Sequence, residues 1–351
     1  MMRIGIVGAG AAAAAAAYAI DGAPTETEVT VLEKSRGLCG RAATRRRDDV
    51  VYDYGANYVT SDDERVVELL TETLDDEGLV DVTEPVWTFD RAGTVSPGDG
   101  RDDHKWTYRQ GLTQIAKRLF TRTDASVHRE TRVETLVREP DDGEGSWRLE
   151  DASGTRWGPF DAVLLNPPAP QTADLLRSAD WSSGTDTWES LAAAVEAVPF
   201  RTIWTGIFHY PFELERPYYA LVNTDKAHEI GWVAREECKP GHVPDGESVL
   251  VVQANHEWSV DRYDERPAEN CERLAAMTAD LIGDERLREP DWIDYQGWRH
   301  ALPEDGLPGE VLERAEREGL YCLGDWVAGE ARLHAALRNG LEVGERVADA
   351  G

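Results

Sequence analysis

The sequence predicts an α/β fold, and three observations near its start lead to that prediction. A short apolar run at residues 3–7 is followed by a glycine-rich segment at residues 8–13 and then by an alanine-rich stretch with helical character. A second apolar run, at residues 29–32, ends in Glu33. A strand, a tight glycine turn, a helix and a second strand in this order are typical of a Rossmann-like, dinucleotide-binding sheet.

The glycine-rich turn has the pattern G-x-G-x-x-A, and its residues have separate physical roles. Gly8 permits the tight turn, Gly10 lets a pyrophosphate approach the backbone, and Ala13 lets the helix pack closely on the strand. The first turn of the helix offers free N–H groups and the positive end of its dipole to phosphate oxygens. Glu33 has the spacing at which a carboxylate accepts hydrogen bonds from a ribose.

The rest of the chain predicts two interleaved domains, which its 351 residues are enough to form. Residues 201–253 are predicted to be mainly strands, and single elements are predicted for a strand over 127–137 and a helix over 332–350. We therefore predict an α/β fold with a Rossmann-like FAD/NAD(P)-binding domain and an inserted α+β substrate domain with a mixed or antiparallel sheet. The predicted boundaries assign residues 1–60, 105–170 and 310–351 to the first domain and residues 61–104 and 171–309 to the second.

The composition is strongly acidic, with 67 Asp and Glu against 37 Lys and Arg, a net charge of −30 and only five lysines. An acidic, lysine-poor surface is expected of a halophilic protein, because concentrated salt screens the self-repulsion within a few ångströms. Nucleic acid and anionic membranes require cationic surfaces, so neither is an expected partner. We expect a small-molecule substrate, and the oligomeric state stays open.

The four cysteines, Cys39, Cys238, Cys271 and Cys322, are widely spaced and form no C-x-x-C pair, so neither a metal site nor a disulfide framework is expected. The apolar stretch at the start could pass for a signal peptide, but glycines interrupt it and a strand ending in an acid follows. No other run is long and apolar enough to span a membrane. We expect a cytoplasmic protein.

Several further motifs resemble the renalase-like branch of the flavin amine oxidase superfamily. They are VLEKSRG at 31–37 with GRAATRR at 40–46, DYGANYVT at 53–60, WVAR at 232–235 with KPG at 239–241, EWS at 257–259, WRHALP at 298–303 and LGDW at 323–326. These motifs follow the family's order over nearly the whole chain. The resemblance implies non-covalently bound FAD and hydride transfer from a substrate to flavin N5, with reoxidation by O2 or another acceptor. It also implies isomeric dihydronicotinamide nucleotides as the substrate.

The resemblance further implies which residues hold the cofactor. They are Gly8, Gly10, Ala11, Ala12, Ala13, Glu33, Lys34, Gly40, Arg41, Asn57, Tyr58, Val133, Gly324, Asp325, Arg332 and Leu333. By this resemblance Arg41 binds near the pyrophosphate and the ribityl chain, and Asp325 accepts from the same region. Asn57 and Tyr58 lie beside the flavin ring, and Val133 uses its backbone on the adenine. The helix over 332–350 would direct its N-terminus at the pyrimidine end of the flavin, where its dipole stabilises negative charge.

The chain departs from the family pattern at three positions. Cys39 stands where a second glycine is expected, and a cysteine is strained there if the backbone requires a positive φ. His300 stands where relatives often carry Tyr, and His334 replaces a residue that is often acidic. No catalytic triad or metal cluster is visible, so the catalytic residues are unknown, with Trp298, His300 and His334 as candidates.

Two alternatives stay open at the level of sequence. The chain could be an amine oxidase or a desaturase-type flavoenzyme, although Lys226 and Lys239 are the only lysines available in the inserted region for an amine oxidase site. It could also be a flavin-binding sensor without turnover. For an anionic nucleotide substrate, Arg235, Lys239 and Arg299 are the candidate cationic contacts.

Overall fold

The computed structural model describes residues 1–74, 77–100, 103–139, 146–181 and 185–351. The strands are β1 (Met2–Val7), β2 (Thr27–Glu33), β3 (Thr44–Arg47), β4 (Val50–Asp53), β5 (Leu79–Asp81), β6 (Val86–Phe89), β7 (Val95–Ser96), β8 (Trp106–Tyr108), β9 (Ser126–Arg129), β10 (Val133–Glu139), β11 (Ser146–Asp151), β12 (Arg156–Phe160), β13 (Ala162–Leu165), β14 (Asp180–Trp181), β15 (Phe200–Tyr210), β16 (Ala220–Asn223), β17 (Ile230–Arg235), β18 (Ser248–Ala254), β19 (Trp292–Pro303) and β20 (Leu320–Cys322). The α-helices are α1 (Ala11–Asp21), α2 (Glu64–Glu68), α3 (Thr113–Thr121), α4 (Ala169–Ser178), α5 (Thr185–Glu196), α6 (His256–Asp261), α7 (Pro267–Ile282), α8 (Gly309–Glu316), α9 (Asp325–Ala328) and α10 (Leu333–Ala350). A π-helical turn, Leu69–Thr73, continues α2, and 3-10 turns occupy Glu236–Cys238 and Glu285–Arg288.

A five-stranded parallel sheet with the order β20-β13-β1-β2-β9 forms the Rossmann-like part of the protein. Its central strands are buried on both faces, and Ile4 and Ile6 of β1 are fully inaccessible. Parallel strands need such double coverage, which explains why their sequences read as continuous apolar runs. The sheet joins the start, the middle and the end of the chain, and the predicted α/β fold class is confirmed.

Helices α1 and α10 pack unusually closely, because both present small residues at their contact. A Cβ atom added to Gly340 would lie 2.3 Å from the carbonyl oxygen of Ala12, and one added to Gly344 would lie 2.6 Å from that of Ala16. This pairing shows that the two helices run parallel. Since α10 begins at Leu333, its N-terminus extends roughly 9 Å beyond that of α1 at about 1.5 Å per residue.

A seven-stranded mixed sheet with the order β19-β15-β18-β17-β16-β6-β7 forms the inserted part. Its strands pair antiparallel except for β16 with β6, which confirms the predicted mixed sheet. One face packs against α6 and α7, and the opposite face packs against β4. A separate four-stranded sheet has the order β12-β11-β10-β14. The exact domain boundaries stay a prediction.

The predicted single strand over 127–137 is wrong. Residues of this range form two strands in different sheets, since β9 pairs with β2 and β10 pairs with β11. Between them Glu130 adopts a left-handed backbone with φ of 59°. The N–H groups of Glu130 and Thr131 donate to the carbonyl oxygens of Ser35 and Glu33. These long-range bonds turn the chain, and the alternating apolar pattern conceals the break.

The described part of the chain contains no helix with the combined length and apolarity that crossing a membrane would require.

Candidate functional site

The glycine turn predicted to hold a pyrophosphate lies between β1 and α1 and leads directly into the helix. Gly8 has a φ of 89°, so the prediction that this position requires glycine is confirmed. The N–H of Gly10 donates to Asn166 Oδ1 over 3.0 Å, and a Cβ on Gly10 would lie 2.4 Å from that oxygen. Helix α1 begins at Ala11 immediately after this turn, with Ala12 and Ala13 buried behind it. Its first N–H groups are therefore available to an anion.

Glu33, at the end of β2, is 7% exposed and supports the same turn. Its Oε2 accepts from the N–H of Ala9 over 2.7 Å, and its Oε1 accepts from the backbone N–H and the hydroxyl of Ser35 over 2.7 and 2.5 Å. A carboxylate offers about four acceptor positions, so these three bonds leave one for a ribose hydroxyl. Glu33 therefore holds the turn in place, and its role toward a ribose stays a prediction.

Arg41 and Asp325 are brought together from opposite ends of the chain. Arg41 Nη1 and Nη2 donate to the two carboxylate oxygens of Asp325, over 3.0 and 2.5 Å, and Nη1 also donates to the carbonyl oxygen of Ala301 over 2.8 Å. The side chain of Arg41 is 27% exposed and that of Asp325 is 8% exposed. The two residues were predicted as separate ligands, and their pairing was not foreseen. The guanidinium has five N–H donors, so it can hold Asp325 and still face an anion.

Asn166 is a site residue that sequence reasoning missed. It follows the buried strand β13, and its amide joins two turns: Oδ1 accepts from Gly10, and Nδ2 donates to the carbonyl oxygen of Leu323 over 3.1 Å. Gly324, with φ of 135°, donates its N–H to Asn339 Oδ1 of α10 over 2.8 Å. An Asn directly after a buried parallel strand was the available signal, because ligand sites lie at the carboxyl ends of such strands.

The loop between β2 and β3 confirms the expected strain at Cys39. Its φ is 75°, and its N–H donates to the carbonyl oxygen of Ala9 over 2.9 Å, which fixes the loop against the glycine turn. Gly40 beside it has φ of 56°. The thiol of Cys39 is buried, and burial raises its pKa to about 12, so it stays protonated at neutral pH. Lys34 donates to Gln171 Oε1 over 2.7 Å, and burial together with Arg132 lowers its pKa.

Three other predicted cofactor residues lie at or beside the start of an element, and Asn57 lies in a loop. Val133 is buried at the beginning of β10. Arg332 immediately precedes α10 with an extended backbone, and Leu333 is the first residue of that helix. Asn57 uses its amide locally, since Nδ2 donates to the carbonyl oxygen of Asp53 over 2.9 Å. The roles of all these residues toward a cofactor stay predictions.

Tyr58 lies in an aromatic group with Tyr219 and Trp232 from the inserted sheet. The three ring centroids are 6.1 to 6.3 Å apart. Gln253 of the same sheet donates to the carbonyl oxygen of Gly55 over 2.8 Å. The chain segment predicted to lie beside the flavin therefore packs directly on the inserted sheet.

A fully buried ionic group lies beneath this segment. Lys239 Nζ is 3.0 Å from Asp53 Oδ2 and 2.7 Å from Glu236 Oε1, and His242 Nδ1 is 2.9 Å from Glu236 Oε2. Burial by itself would raise the pKa of Asp53, but the charges of Lys239 and His242 bring it below its ordinary value. Asp53, Glu236 and His242 have the residue types of metal ligands, with candidate atoms within 4.8 Å of one another. The Lys239 ammonium already supplies a positive charge to both carboxylates.

This geometry corrects the expected cationic substrate contacts. Lys239 is completely buried and held by its carboxylates. Arg235 is 7% exposed, and its guanidinium donates to the carbonyl oxygens of Leu214, Arg216 and Tyr218. The expectation that these two side chains contact an anionic substrate is wrong, because internal acceptors hold both.

The three candidate catalytic side chains have different surroundings. Trp298 stacks on Tyr54 at 5.3 Å and donates from Nε1 to that residue's carbonyl oxygen over 3.1 Å. His334 Nε2 lies 3.0 Å from Glu330 Oε1. His300 is half-buried, and burial, followed by the charges of Arg299, Arg41 and Lys34, lowers its pKa.

His300 therefore lies in a positive environment as a neutral imidazole at pH 7. The catalytic roles of the three candidates stay predictions.

Comparisons with known proteins agree with the fold. A family model described as an NAD(P)-binding Rossmann-like domain matches residues 6–73. The whole chain is similar to a protein from Exiguobacterium sp. 255-15 assigned as a protoporphyrinogen oxidase, at 15% identity and a TM-score of 0.79, covering 100% of this chain and 99% of that one.

Two further solved structures are similar over nearly their whole length. Cyclohexylamine oxidase from Brevibacterium oxydans IH-35A has 13% identity and a TM-score of 0.74, with 99% of both chains covered. Reduced UDP-galactopyranose mutase has 10% identity and a TM-score of 0.76, with 100% of this chain and 94% of that one covered. Identities this low establish a shared fold and leave the activity to be argued from the site.

Proposed function

We propose that the protein is an FAD-dependent oxidoreductase. The observation that carries the proposal is the parallel packing of α1 and α10, whose N-termini are offset by roughly 9 Å. One helix start lies at the glycine turn that suits a pyrophosphate. The other lies farther along the same direction, where the reactive ring of an extended dinucleotide belongs. When bound, FAD would supply a hydride acceptor at N5, with reoxidation by O2 or another acceptor.

The side chains around these helix ends fit such a cofactor. Glu33 retains an acceptor position for a ribose hydroxyl, and Arg41 and Asp325 combine a cation and a carboxylate beside the glycine turn. The dipole at the start of α10 stabilises negative charge by up to about 2 kcal/mol in a buried geometry. The protonated thiol of Cys39 is a poor nucleophile, which favours non-covalent binding.

Within this class, we propose oxidation of isomeric dihydronicotinamide nucleotides, as the renalase-like motifs imply. The aromatic residues Tyr58, Tyr219 and Trp232 provide surfaces for a flat ring. Arg235 and Lys239 bind acceptors inside the protein. Arg299 is therefore the remaining candidate of the three residues predicted to contact an anionic substrate. Its side chain is 56% exposed and lies 4.0 Å over the Tyr263 ring.

Amine oxidation is the second candidate, and one observation favours it. Lys239 Nζ lies 6.0 Å from the centroid of Tyr219, so an aromatic group and a lysine occur together. The ammonium of Lys239 is already shared by Asp53 and Glu236, which leaves it poorly placed to bind a water or a substrate. Amine oxidation is therefore less well supported than oxidation of dihydronicotinamide nucleotides.

We further propose a cytoplasmic enzyme that acts on small molecules without a nucleic acid partner. Its net charge of −30 supports the proposal that it is adapted to high salt. The thermal midpoint of unfolding should then rise steeply as KCl increases from 0.1 to 2 M. An unchanged midpoint would contradict salt adaptation.

The test of the function uses the purified protein in high salt. We expect a flavin absorption spectrum, release of intact FAD on denaturation, and anaerobic bleaching by an isomeric dihydronicotinamide nucleotide. Bleaching by simple amines instead would favour the second candidate. A yellow protein that neither donor reduces would favour a non-catalytic sensor, and a protein that does not bind FAD would refute the flavoenzyme proposal.

A further inference from the structure

A surface groove of about 650 Å³ lies between the β3–β4 hairpin and β19, an edge strand of the inserted sheet. Two large apolar side chains line it, Ile293 at 39% exposure and Tyr295 at 45%. The Tyr295 ring stacks on that of Trp204 at 5.4 Å, which fixes its orientation. Among the other large apolar side chains of the described chain, only Met1 and Val260 are exposed. Exposed apolar side chains gathered at a groove indicate a protein contact.

The groove is positively charged, although the whole chain carries a net charge of −30. Residues 34–47 contain six basic residues and no acidic one. Arg46 and Arg47, at the end of this segment, are exposed and line the groove. Neither forms an ion pair with a residue that the structure describes, including Asp48 and Asp49 at the hairpin turn. Two uncompensated arginines are unexpected where acids outnumber bases by 67 to 37, and they indicate an anionic partner. We call this surface the arginine groove.

The outer face of helix α6 has the complementary chemistry. Glu257, Val260 and Asp261 have the spacing i, i+3 and i+4, so they share one side of the helix. The other side is buried through Trp258 and Ser259. Val260 is 51% exposed, and neither carboxylate forms an ion pair with a described residue. The outer face of α6 therefore presents an apolar side chain together with two uncompensated carboxylates.

The arginine groove and the outer face of α6 lie on opposite sides of β19. Tyr263, which follows α6, donates to the carbonyl oxygen of Gly297 over 3.2 Å from the side of the sheet that α6 and α7 cover. Arg45 of β3 donates to Asp294 over 2.8 Å from the side that the hairpin covers. A two-fold axis parallel to an edge strand exchanges the two sides of the sheet. Such an axis would bring the groove of each copy against α6 of the other.

We infer that the chain forms a symmetric dimer in which the outer face of α6 of one copy binds in the arginine groove of the other. The carboxylates of α6 pair with the arginines, and Val260 contacts Ile293 and Tyr295. A second copy satisfies both the charge and the apolar surface, and the two contacts close the assembly. A small anion would leave Ile293 and Tyr295 exposed, and the acidic remainder of the surface would repel a nucleic acid. The dimer does not depend on the cofactor.

Sedimentation velocity of the purified protein over a range of concentrations tests the dimer. The buffer contains about 1 M KCl, where screening over roughly 3 Å limits the repulsion between two acidic chains. We expect a dimer whose fraction rises with concentration. R47E and D261R should each weaken it about tenfold, because each reverses one charge in both contacts. Arg317→Glu, at the end of α8 with its side chain 74% exposed, changes the net charge as R47E does and should leave the dimer unchanged.

A mixture of R47E and D261R tests which surfaces meet. In the mixed dimer one contact joins the two introduced charges, which are opposite, and the other contact keeps both parent residues. The mixture should therefore recover the dimerisation of the parent. A parent that stays monomeric at every concentration would overturn the inference, even if its groove binds an oligonucleotide or an unrelated acidic protein. Unchanged dimerisation in R47E and D261R, or a mixture that stays monomeric, would also overturn it.

Discussion

The Arg41 guanidinium and the Asp325 carboxylate form a two-point ion pair between residues 284 positions apart. One follows the strand-turn-helix unit at the start of the chain, and the other begins the short helix that precedes α10. Such a fork-to-carboxylate contact fixes orientation as well as distance. It connects the two ends of the proposed cofactor site.

Arg41→Lys should weaken this connection, because an ammonium cannot reproduce the planar two-point contact. We expect about a tenfold loss of FAD affinity and a lower thermal midpoint for the cofactor-free protein. Arg286→Lys is the control, since Arg286 makes a similar two-point contact with Asp284 on the surface. Titration of the apoprotein with FAD measures the affinity. Unchanged affinity in Arg41→Lys would limit the pair to a role in folding.

Gly340→Ala should separate α10 from α1, because the new Cβ would meet the Ala12 carbonyl oxygen at 2.3 Å. We expect a loss of about 1–3 kcal/mol in unfolding free energy, as for other overpacked contacts, together with weaker FAD binding. Gly309→Ala, at the start of α8, is the control, because a Cβ there has no atom within 4 Å outside its chain neighbours and its own helix backbone. Denaturant unfolding and FAD titration measure the two effects. Equal stability of the two variants would contradict the close packing.

Cys39 offers a test of backbone strain. A left-handed φ of 75° costs a non-glycine residue about 1–2 kcal/mol. Glycine relieves this cost but loses about 0.5–1 kcal/mol through the greater freedom of the unfolded chain. Cys39→Gly should therefore be more stable than Cys39→Ala by up to about 1 kcal/mol. At Cys271, within α7, the order should reverse, because glycine disfavours a helix. The same order at both positions would argue against strain at Cys39.

Lys239→Met should leave Asp53 and Glu236 buried without their shared cation. Breaking a buried ion pair costs about 3–5 kcal/mol, and Lys117→Met on the exposed face of α3 should cost little. Unfolding in denaturant of the cofactor-free proteins measures both. A loss similar to that of Lys117→Met would show that the buried ammonium contributes little.

The pH dependence of this ionic group follows from two pKa directions. The pKa of Asp53 is lowered in the folded state, so its stabilisation is full above the ordinary value of 3.8 and is lost as the pH falls through the lower folded value. Burial would lower the pKa of Lys239, but Asp53 and Glu236 raise it above 10.5, so its contribution is lost only as the pH rises through that higher value. In Lys239→Met the pKa of Asp53 is no longer lowered by its nearest cation, so the stability lost between neutral and acid pH should be smaller than in the parent.

Sequence spacing alone predicted the elements whose signals are local. The glycine turn, Glu33 at the end of β2 and the long C-terminal helix depend on residues close together in the chain. Their φ requirements and apolar periods are set by local sterics and burial. These features were sufficient to predict the α/β class and the mixed inserted sheet. The same local reasoning predicted the strain at Cys39.

Tertiary structure decided the features that depend on contacts between distant residues. The break at Glu130 arises from bonds to the 33–35 segment, Asn166 joins two turns, and Lys239 is buried because Asp53 and Glu236 surround it. From the sequence alone, an isolated lysine is expected to be free to bind an anion. Only the folded structure shows that carboxylates already compensate its charge. The sequence therefore determined the local architecture of a dinucleotide site, while the folded chain decided which of its polar groups are free to meet a ligand, since pairing and desolvation depend on three-dimensional neighbours.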